Sequence, residues 1–141
     1  MRRRRWKKKS KDIKSQLQQG YKLQTLMHKV NKETLKIQHK KRQKKRAVGI
    51  DEITKEKYDE NIEENLDNLL EKMKKFSYKP LPVRRTYIPK ANGKQRPLGI
   101  PAYEDKLVQG AMTDVLNEIY ENIFLECSYG FRKERNSSRI R

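Results

Sequence analysis

The chain has 141 residues, of which 33% are hydrophobic and 38% are charged, and its formal net charge is +18. This length allows one domain with a modest core, and a single cysteine, Cys127, excludes an intrachain disulfide and a cysteine-based zinc site. No stretch reaches the roughly 18 apolar residues of a membrane span, and the N-terminus lacks the apolar run of a secretory signal. We therefore expect a cytoplasmic protein that makes no membrane contact, in which Cys127 is a buried thiol.

The positive charge is concentrated in two segments. Residues 1–48 carry 19 Lys/Arg and 2 acids, residues 49–72 carry 3 Lys and 9 acids, and residues 73–101 carry 8 Lys/Arg and no acid. Two basic segments separated by an acidic one are typical of a protein that touches a polyanion in two places. Nucleic acid is the commoner partner of this kind, since an anionic membrane surface would need a stronger apolar face than the N-terminal segment offers.

The N-terminal third is predicted to be a basic, partly helical extension that spans residues 1–46. Its first eleven residues are a basic tail, which is either a phosphate-binding arm or only a solubilising end. Apolar residues at near-helical spacing predict a helix over about 12–30, and a second, more polar helix is predicted over about 32–46. Neither histidine of this region has ligand spacing, so we expect both His28 and His39 at the surface.

The acidic segment predicts one long helix that starts after Thr54 and ends near Phe76. Thr54 is a good N-cap residue, and Ile53 and Tyr58 have the spacing of a hydrophobic staple. Acidic residues fill the first turns and lysines the last, which suits the helix dipole. Pro80 follows closely and favours termination.

A β-hairpin is predicted over residues 83–100. Asn92-Gly93 between two short strand-like runs is a strong hairpin signal. Pro97 lacks an amide hydrogen, which predicts an edge or irregular position for the return strand.

The last predicted element is a helix over about 104–125 with a wide apolar stripe, and it should be the most buried helix of the chain. Asp105 and Asp114 lie on it without an acidic partner, so we expect surface roles for both. The elements together predict an α+β fold that is mainly helical with one β-hairpin.

Basic residues cluster around the hairpin turn. Arg84, Lys90, Lys94 and Arg96 lie in a stretch without carboxylates, and such cations are suited to bind phosphate oxygens. A polyphosphate clamp is one interpretation and a solvated basic hairpin is the other. The clamp requires Lys90 and Arg96 on the same face, which a two-residue loop does not allow; it predicts a connection of three or five residues, or a bulge.

Four blocks of the chain resemble the fingers region of group II intron-encoded reverse transcriptases, and they follow one another in the same order as in that family. They are residues 47–54, the hairpin block of residues 87–101, and residues 105–109 and 128–132. The likeness covers residues 47–135 and implies a fragment of an RNA-directed DNA polymerase and maturase, which also helps its intron RNA to splice. A retron-type reverse transcriptase shares parts of the pattern and remains an alternative.

The resemblance implies roles for individual residues. Lys90 and Arg96, with Arg84 as a weaker third, stand where the family contacts the triphosphate of the incoming nucleotide. Phe131 and Arg132 match a block near the nucleotide site. The resemblance and the charge together predict RNA contacts for a larger set: Arg2, Arg3, Arg4, Arg5, Lys40, Lys41, Arg42, Lys44, Lys45, Arg46 and Lys94.

The sequence departs from the family after residue 132. Lys133 stands where the family usually has proline, and Asn136 stands where it usually has serine. The metal-binding aspartates of the palm are expected beyond this point, so residues 136–141 are interpreted as a truncated or frameshifted end with the palm absent. We therefore expect no catalytic residue, metal site or cofactor in the chain, and Mg²⁺ only in the complete enzyme.

The expected partner is RNA, either a template or an intron RNA. In the complete enzyme the resemblance adds an RNA/DNA duplex and a deoxynucleoside triphosphate. A standalone basic RNA-binding protein derived from such an enzyme is the alternative function. A helical scaffold with merely solubilising lysines is disfavoured by the charge of residues 1–48.

Overall fold

The computed structural model describes residues 26–136 and has an α+β architecture, as the sequence predicts. A short 3₁₀ helix at Met27–Lys29 comes first. The helices are α1 (Lys32–Lys41), α2 (Lys55–Asp59), α3 (Ile62–Lys74) and α4 (Tyr103–Tyr120), and the strands are β1 (Arg84–Pro89) and β2 (Gln95–Ile100). The two strands pair as an antiparallel hairpin. Of the helices in the described range, none is both long and apolar enough to cross a membrane.

The described residues fall into two compact units, one of residues 27–112 and one of Leu26 with residues 113–136. The predicted boundary at residue 46 does not coincide with this division, and the RNA-binding extension over residues 1–46 stays a prediction. Its residues 1–25 lie outside the described range, and so do residues 137–141 of the predicted end.

The core of the 27–112 unit is built by α1, α3 and α4. Leu35, Leu66, Leu69 and Leu107 are its fully buried side chains. Burial of each of these leucine side chains stabilises the folded state by about 1.5–3 kcal/mol. This core supports the surface elements that carry the basic residues.

Helix α1 is shorter than the predicted 32–46. Asn31 starts it with a capping box, in which its side chain accepts a hydrogen bond from the Thr34 amide and the Thr34 hydroxyl accepts one from the Asn31 amide. The helix ends after Lys41 because Arg42 is extended (ψ 137) and its Nη2 donates to the Lys106 carbonyl at 2.6 Å. A tertiary contact therefore overrides the helical pattern that continues to residue 46.

Two further predictions concern this region. The helix predicted over about 12–30 lies mostly outside the described range, so its residues 12–25 stay a prediction, and its described end is a 3₁₀ helix at Met27–Lys29 rather than an α-helix. His39 is buried rather than at the surface, because Tyr103 and Asp59 bind its two ring nitrogens.

The helix predicted from Thr54 to Phe76 is two helices. Thr54 caps α2, as predicted, by accepting a hydrogen bond from the Lys57 amide. The helix is interrupted at Asn61, whose backbone is not helical (φ −127, ψ 39), and the Asn65 side chain donates to the Tyr58 carbonyl across the break.

Helix α3 ends in a Schellman motif close to the predicted end. The Ser77 amide donates to the Lys72 carbonyl, and the Phe76 amide donates to the Met73 carbonyl. Phe76 takes the left-handed position that usually holds glycine (φ 54). The chain then turns towards β1.

Helix α4 has more buried side chains than any other helix of the described residues, as predicted, but it ends at Tyr120 rather than near 125. Asp105 is buried on it, so its predicted surface role is wrong. Cys127 is exposed, so the prediction of a buried thiol is also wrong, because the residue follows the helix end in an open loop.

Candidate nucleic-acid interface

The register of the hairpin determines which basic side chains share a face. Arg84 pairs with Ile100 and Ile88 pairs with Arg96, and paired residues of an antiparallel ladder point to the same side. Arg84 and Arg96 are therefore on one face. Lys90 and Lys94 continue that register just beyond the last pair, Pro89 with Gln95.

The connection between the strands comprises residues 90–94, five residues in all. The Lys90 amide donates to the Lys94 carbonyl at 2.7 Å, and the Gly93 amide donates to the Lys90 carbonyl at 3.1 Å. Gly93 has φ 75, a left-handed conformation that glycine adopts without strain. The odd connection that the clamp interpretation requires is confirmed.

The basic face of the hairpin, defined as Arg84, Lys90, Lys94 and Arg96, is exposed. Within the described residues none of the four forms an ion pair. Like charges on one face repel one another, so an anion bound there would be stabilised. The opposite face of the ladder presents a single cation, Arg85.

The base of the hairpin is anchored on the first turn of α4. The buried Asp105 carboxylate accepts hydrogen bonds from the Leu81 amide, at 2.9 Å, and from the Tyr78 hydroxyl. Burial, together with the bond to Asp105, raises the pKa of the Tyr78 phenol above its ordinary value, so the phenol stays a donor. Only Pro101 and Ala102 separate the end of strand β2 from the start of α4. Both ends of the hairpin therefore meet the same helical turn.

The predicted RNA-binding residues of α1 and the segment after it are mostly surface cations. Those exposed are Lys40, Lys41, Lys44, Lys45 and Arg46. Arg42 differs, because it is half-buried and its guanidinium donates to the Lys106 carbonyl. Arg2, Arg3, Arg4 and Arg5 lie outside the described residues.

Phe131 and Arg132 belong to the other compact unit. Phe131 is fully exposed, with φ 57. Arg132 is buried, and it forms an ion pair with Glu121 at 2.7 Å and donates through Nη1 to the carbonyls of Leu125 and Ser128. The guanidinium thus holds the turn after α4 together, and its predicted nearness to a nucleotide stays a prediction.

A set of polar contacts that sequence reasoning missed joins three helices of the 27–112 unit, with His39 and Tyr103 buried and Asp59 exposed. His39 Nε2 lies 2.9 Å from Asp59 Oδ1, and the Tyr103 hydroxyl lies 2.7 Å from His39 Nδ1. Tyr58 packs on Tyr103 with ring centroids 4.9 Å apart and donates to Glu104. The hydrogen-bonded pair His39 and Tyr103 is 64 positions apart in the sequence, so no local spacing could have revealed these contacts.

The resemblance implies that a complete enzyme binds Mg²⁺, and residues 26–136 offer no cluster of side chains that could hold this ion. This part of the chain holds no group of three or more His, Cys, Asp or Glu that could bind a metal ion. Asp105 is engaged by two hydrogen-bond donors. The described residues do not fit a metal centre, and no metal-dependent step is assigned to them.

Comparison with known proteins found relatives along part of the chain. It is 46% identical over 88 residues to protein YkfC of Escherichia coli, which is 62% of this chain and 23% of that protein. It is 47% identical over 75 residues to the group II intron-encoded protein LtrA of Lactococcus lactis, 52% of this chain and 12% of that protein. It is 41% identical over 71 residues to a 91 kDa protein in the cob intron of Schizosaccharomyces pombe, 50% of this chain and 9% of that protein.

The chain thus spans less than a quarter of the length of these relatives. No protein-family model matches it.

Proposed function

Because the chain is homologous over about half of its length to group II intron-encoded proteins, we propose that it is the fingers region of a reverse transcriptase and maturase. In this proposal the basic face of the hairpin binds the triphosphate of an incoming nucleotide in the complete enzyme. The cations of residues 40–46, with Lys94 and the N-terminal arginines, bind template or intron RNA.

The observation that carries the proposal is the placement of four exposed cations on one face of a hairpin whose base is anchored. Arg84 and Arg96 project from adjacent strands, and Lys90 and Lys94 extend the same face into the connection. A triphosphate offers several charged oxygens in a row, and ammonium and guanidinium groups form strong charge-assisted hydrogen bonds to them. An anchored face loses less conformational entropy on binding than free side chains on a mobile loop.

The RNA part of the proposal is supported by charge and exposure. The cations at Lys40, Lys44, Lys45 and Arg46 follow one another on the surface, within a segment that has no acid after Glu33. Contacts of this kind go to phosphates, so the affinity should depend strongly on salt and little on sequence.

The experiment that tests the nucleotide role compares variants on the two faces of the hairpin. A fluorescent deoxynucleoside triphosphate is titrated into the chain with a bound RNA strand, using Lys90→Ala, Arg96→Ala and, as the matched control, Arg85→Ala. Loss of a charge-assisted hydrogen bond should weaken binding by about 10- to 100-fold for the first two variants. Arg85→Ala removes the same kind of charge from the opposite face and should change binding by no more than about twofold.

Equal losses in all three variants would contradict the nucleotide clamp. They would favour the alternative of a basic RNA-binding protein, in which any cation contributes through the general field.

A further inference from the structure

A second basic site lies in the 27–112 unit, away from the hairpin turn. A pocket with a volume of about 400 Å³ opens between the segment after α1, the start of α2, the end of β2 and the first turn of α4. Six of its lining residues are Lys or Arg: Lys41, Arg42, Lys44, Arg46, Lys55 and Lys106. Among the described residues that line it, none is acidic.

Several of these cations are held in place by the backbone. Lys106 Nζ donates to the Ala47 carbonyl at 2.7 Å, Lys55 Nζ donates to the Arg42 carbonyl at 2.5 Å, and Arg42 Nη2 donates to the Lys106 carbonyl at 2.6 Å. These three bonds tie the wall together, so the positive charge is preorganised. The Arg42 Nε is buried and has no hydrogen-bond partner within the described residues, which leaves a buried donor at this wall.

The charges that act on Lys106 in this pocket are mostly positive. Burial lowers the pKa of the Lys106 ammonium, and the nearby guanidinium of Arg42 lowers it further. Asp51 acts in the opposite direction, while Arg84 and Arg46 add to the lowering. An anion in the pocket would relieve this repulsion, and a doubly charged anion would do so more than a singly charged one.

We propose that this pocket binds a terminal phosphate group, and that its source is the 5′ end of an RNA strand. A terminal phosphate carries a charge of about −1.5 to −2 at neutral pH, whereas a phosphodiester carries one negative charge. The pocket is larger than a phosphate, and Ile53, Ile100 and Pro101 line it with apolar surface that suits the attached nucleoside. The choice of RNA rests on the proposed function, but recognition of the phosphate does not.

The test uses the complete chain and one short RNA, labelled at its 3′ end, with either a 5′-phosphate or a 5′-hydroxyl. Fluorescence anisotropy measures the two affinities. We expect the phosphorylated strand to bind about tenfold more tightly, which corresponds to one charge-assisted hydrogen bond. Equal binding of the two strands would overturn the proposal.

The chain offers a matched pair of double variants. Lys44→Gln/Arg46→Gln removes two exposed cations that line the pocket, while Lys40→Gln/Lys45→Gln removes two exposed cations nearby that do not. Both should weaken RNA binding in general, but only the first should abolish the preference for the 5′-phosphate. Loss of the preference in both variants, or in neither, would overturn the proposal.

Two further arms identify the source of the phosphate and separate the two proposals. If AMP but not adenosine displaces the phosphorylated strand, the pocket also binds free nucleotides. If AMP does not displace it and the 5′-phosphate preference is retained, the pocket is specific for the end of an RNA strand. Lys90 does not line the pocket, so Lys90→Ala should leave the 5′-phosphate preference unchanged. The result for the nucleotide-binding hairpin and the result for the pocket can therefore be told apart.

Discussion

Tyr103 links the stability of the 27–112 unit to its basic pocket. The residue is buried, its hydroxyl bonds to His39 Nδ1, and it is one of the residues that line the pocket. Burial raises the pKa of the Tyr103 phenol to about 12, with Asp59 adding to the shift and Arg42 opposing it. The folded protein therefore favours the neutral phenol.

This residue predicts a stability change in alkaline solution. The unfolded phenol titrates near pH 10, so the stabilisation is complete below about pH 10 and is lost as the pH rises towards about 12. Tyr103→Phe should make the decline of the unfolding free energy over this range less steep. It should also cost about 1 kcal/mol near neutral pH, because His39 Nδ1 loses its partner. Urea denaturation at several pH values measures both effects.

Tyr87→Phe is the control for this prediction, since Tyr87 is exposed on the hairpin and should leave both quantities unchanged. Parallel pH profiles of the wild type and Tyr103→Phe would contradict the role given to Tyr103.

At the residue scale, the basic face could be predicted and the buried polar groups could not. Lys90 and Arg96 share a face only if the connection has three or five residues or contains a bulge. This requirement follows from the alternation of side chains along a strand, which is a local property. The burial of His39 and Asp105 depends on partners far away in the chain, Tyr103 and Tyr78 among them. A histidine in a lysine-rich stretch or an acid in a first helical turn looks like a surface residue until its partner is known.

At the scale of elements, the connector of residues 47–54 depends on a close approach of two backbones. Gly49 is buried, and a Cβ built on it would lie 2.7 Å from both the Ala102 Cα and the Pro101 carbonyl oxygen. These are backbone atoms that cannot turn aside as a side chain does. The approach holds the connector against the end of β2 and the start of α4, where the pocket lies.

Gly49→Ala should therefore destabilise the protein by about 1–3 kcal/mol, the usual cost of overpacking. Gly130→Ala is the matched control, because a Cβ there would meet nothing within 4 Å. The midpoint of urea unfolding measures the difference. Unchanged stability of Gly49→Ala would show that the two backbones separate at little cost.

Periodicity predicted that helices exist but not where they end. The apolar residues of α3 and α4 recur at helical spacing, so both helices were predictable. The break at Asn61 and the end of α1 at Arg42 come from hydrogen bonds to Tyr58 and Lys106, which the local pattern does not contain. The capping role of Thr54 was predictable, because an N-cap satisfies amides only three residues away.

At the scale of the whole molecule, the uneven charge is the property that connects fold and function. The net charge of +18 is carried by two basic segments with an acidic one between them. In the structure the acidic segment supplies α2 and α3, while the basic segments supply the surface after α1 and the hairpin. The cations are thus presented on surface elements beside a packed core, and the relatives encoded within introns make RNA the natural partner in our proposal.

Primer extension on an RNA template with Mg²⁺ tests most directly whether the chain is the fingers region of a reverse transcriptase. It compares the 141-residue chain with the same chain joined to the palm and thumb of a related enzyme. We expect extension only from the joined chain, with the KM for deoxynucleoside triphosphate raised about 10- to 100-fold by Lys90→Ala or Arg96→Ala and little changed by Arg85→Ala. Extension by the 141-residue chain alone, or an equal rise of the KM in Arg85→Ala, would show that the chain is not a fingers region with a nucleotide-binding hairpin.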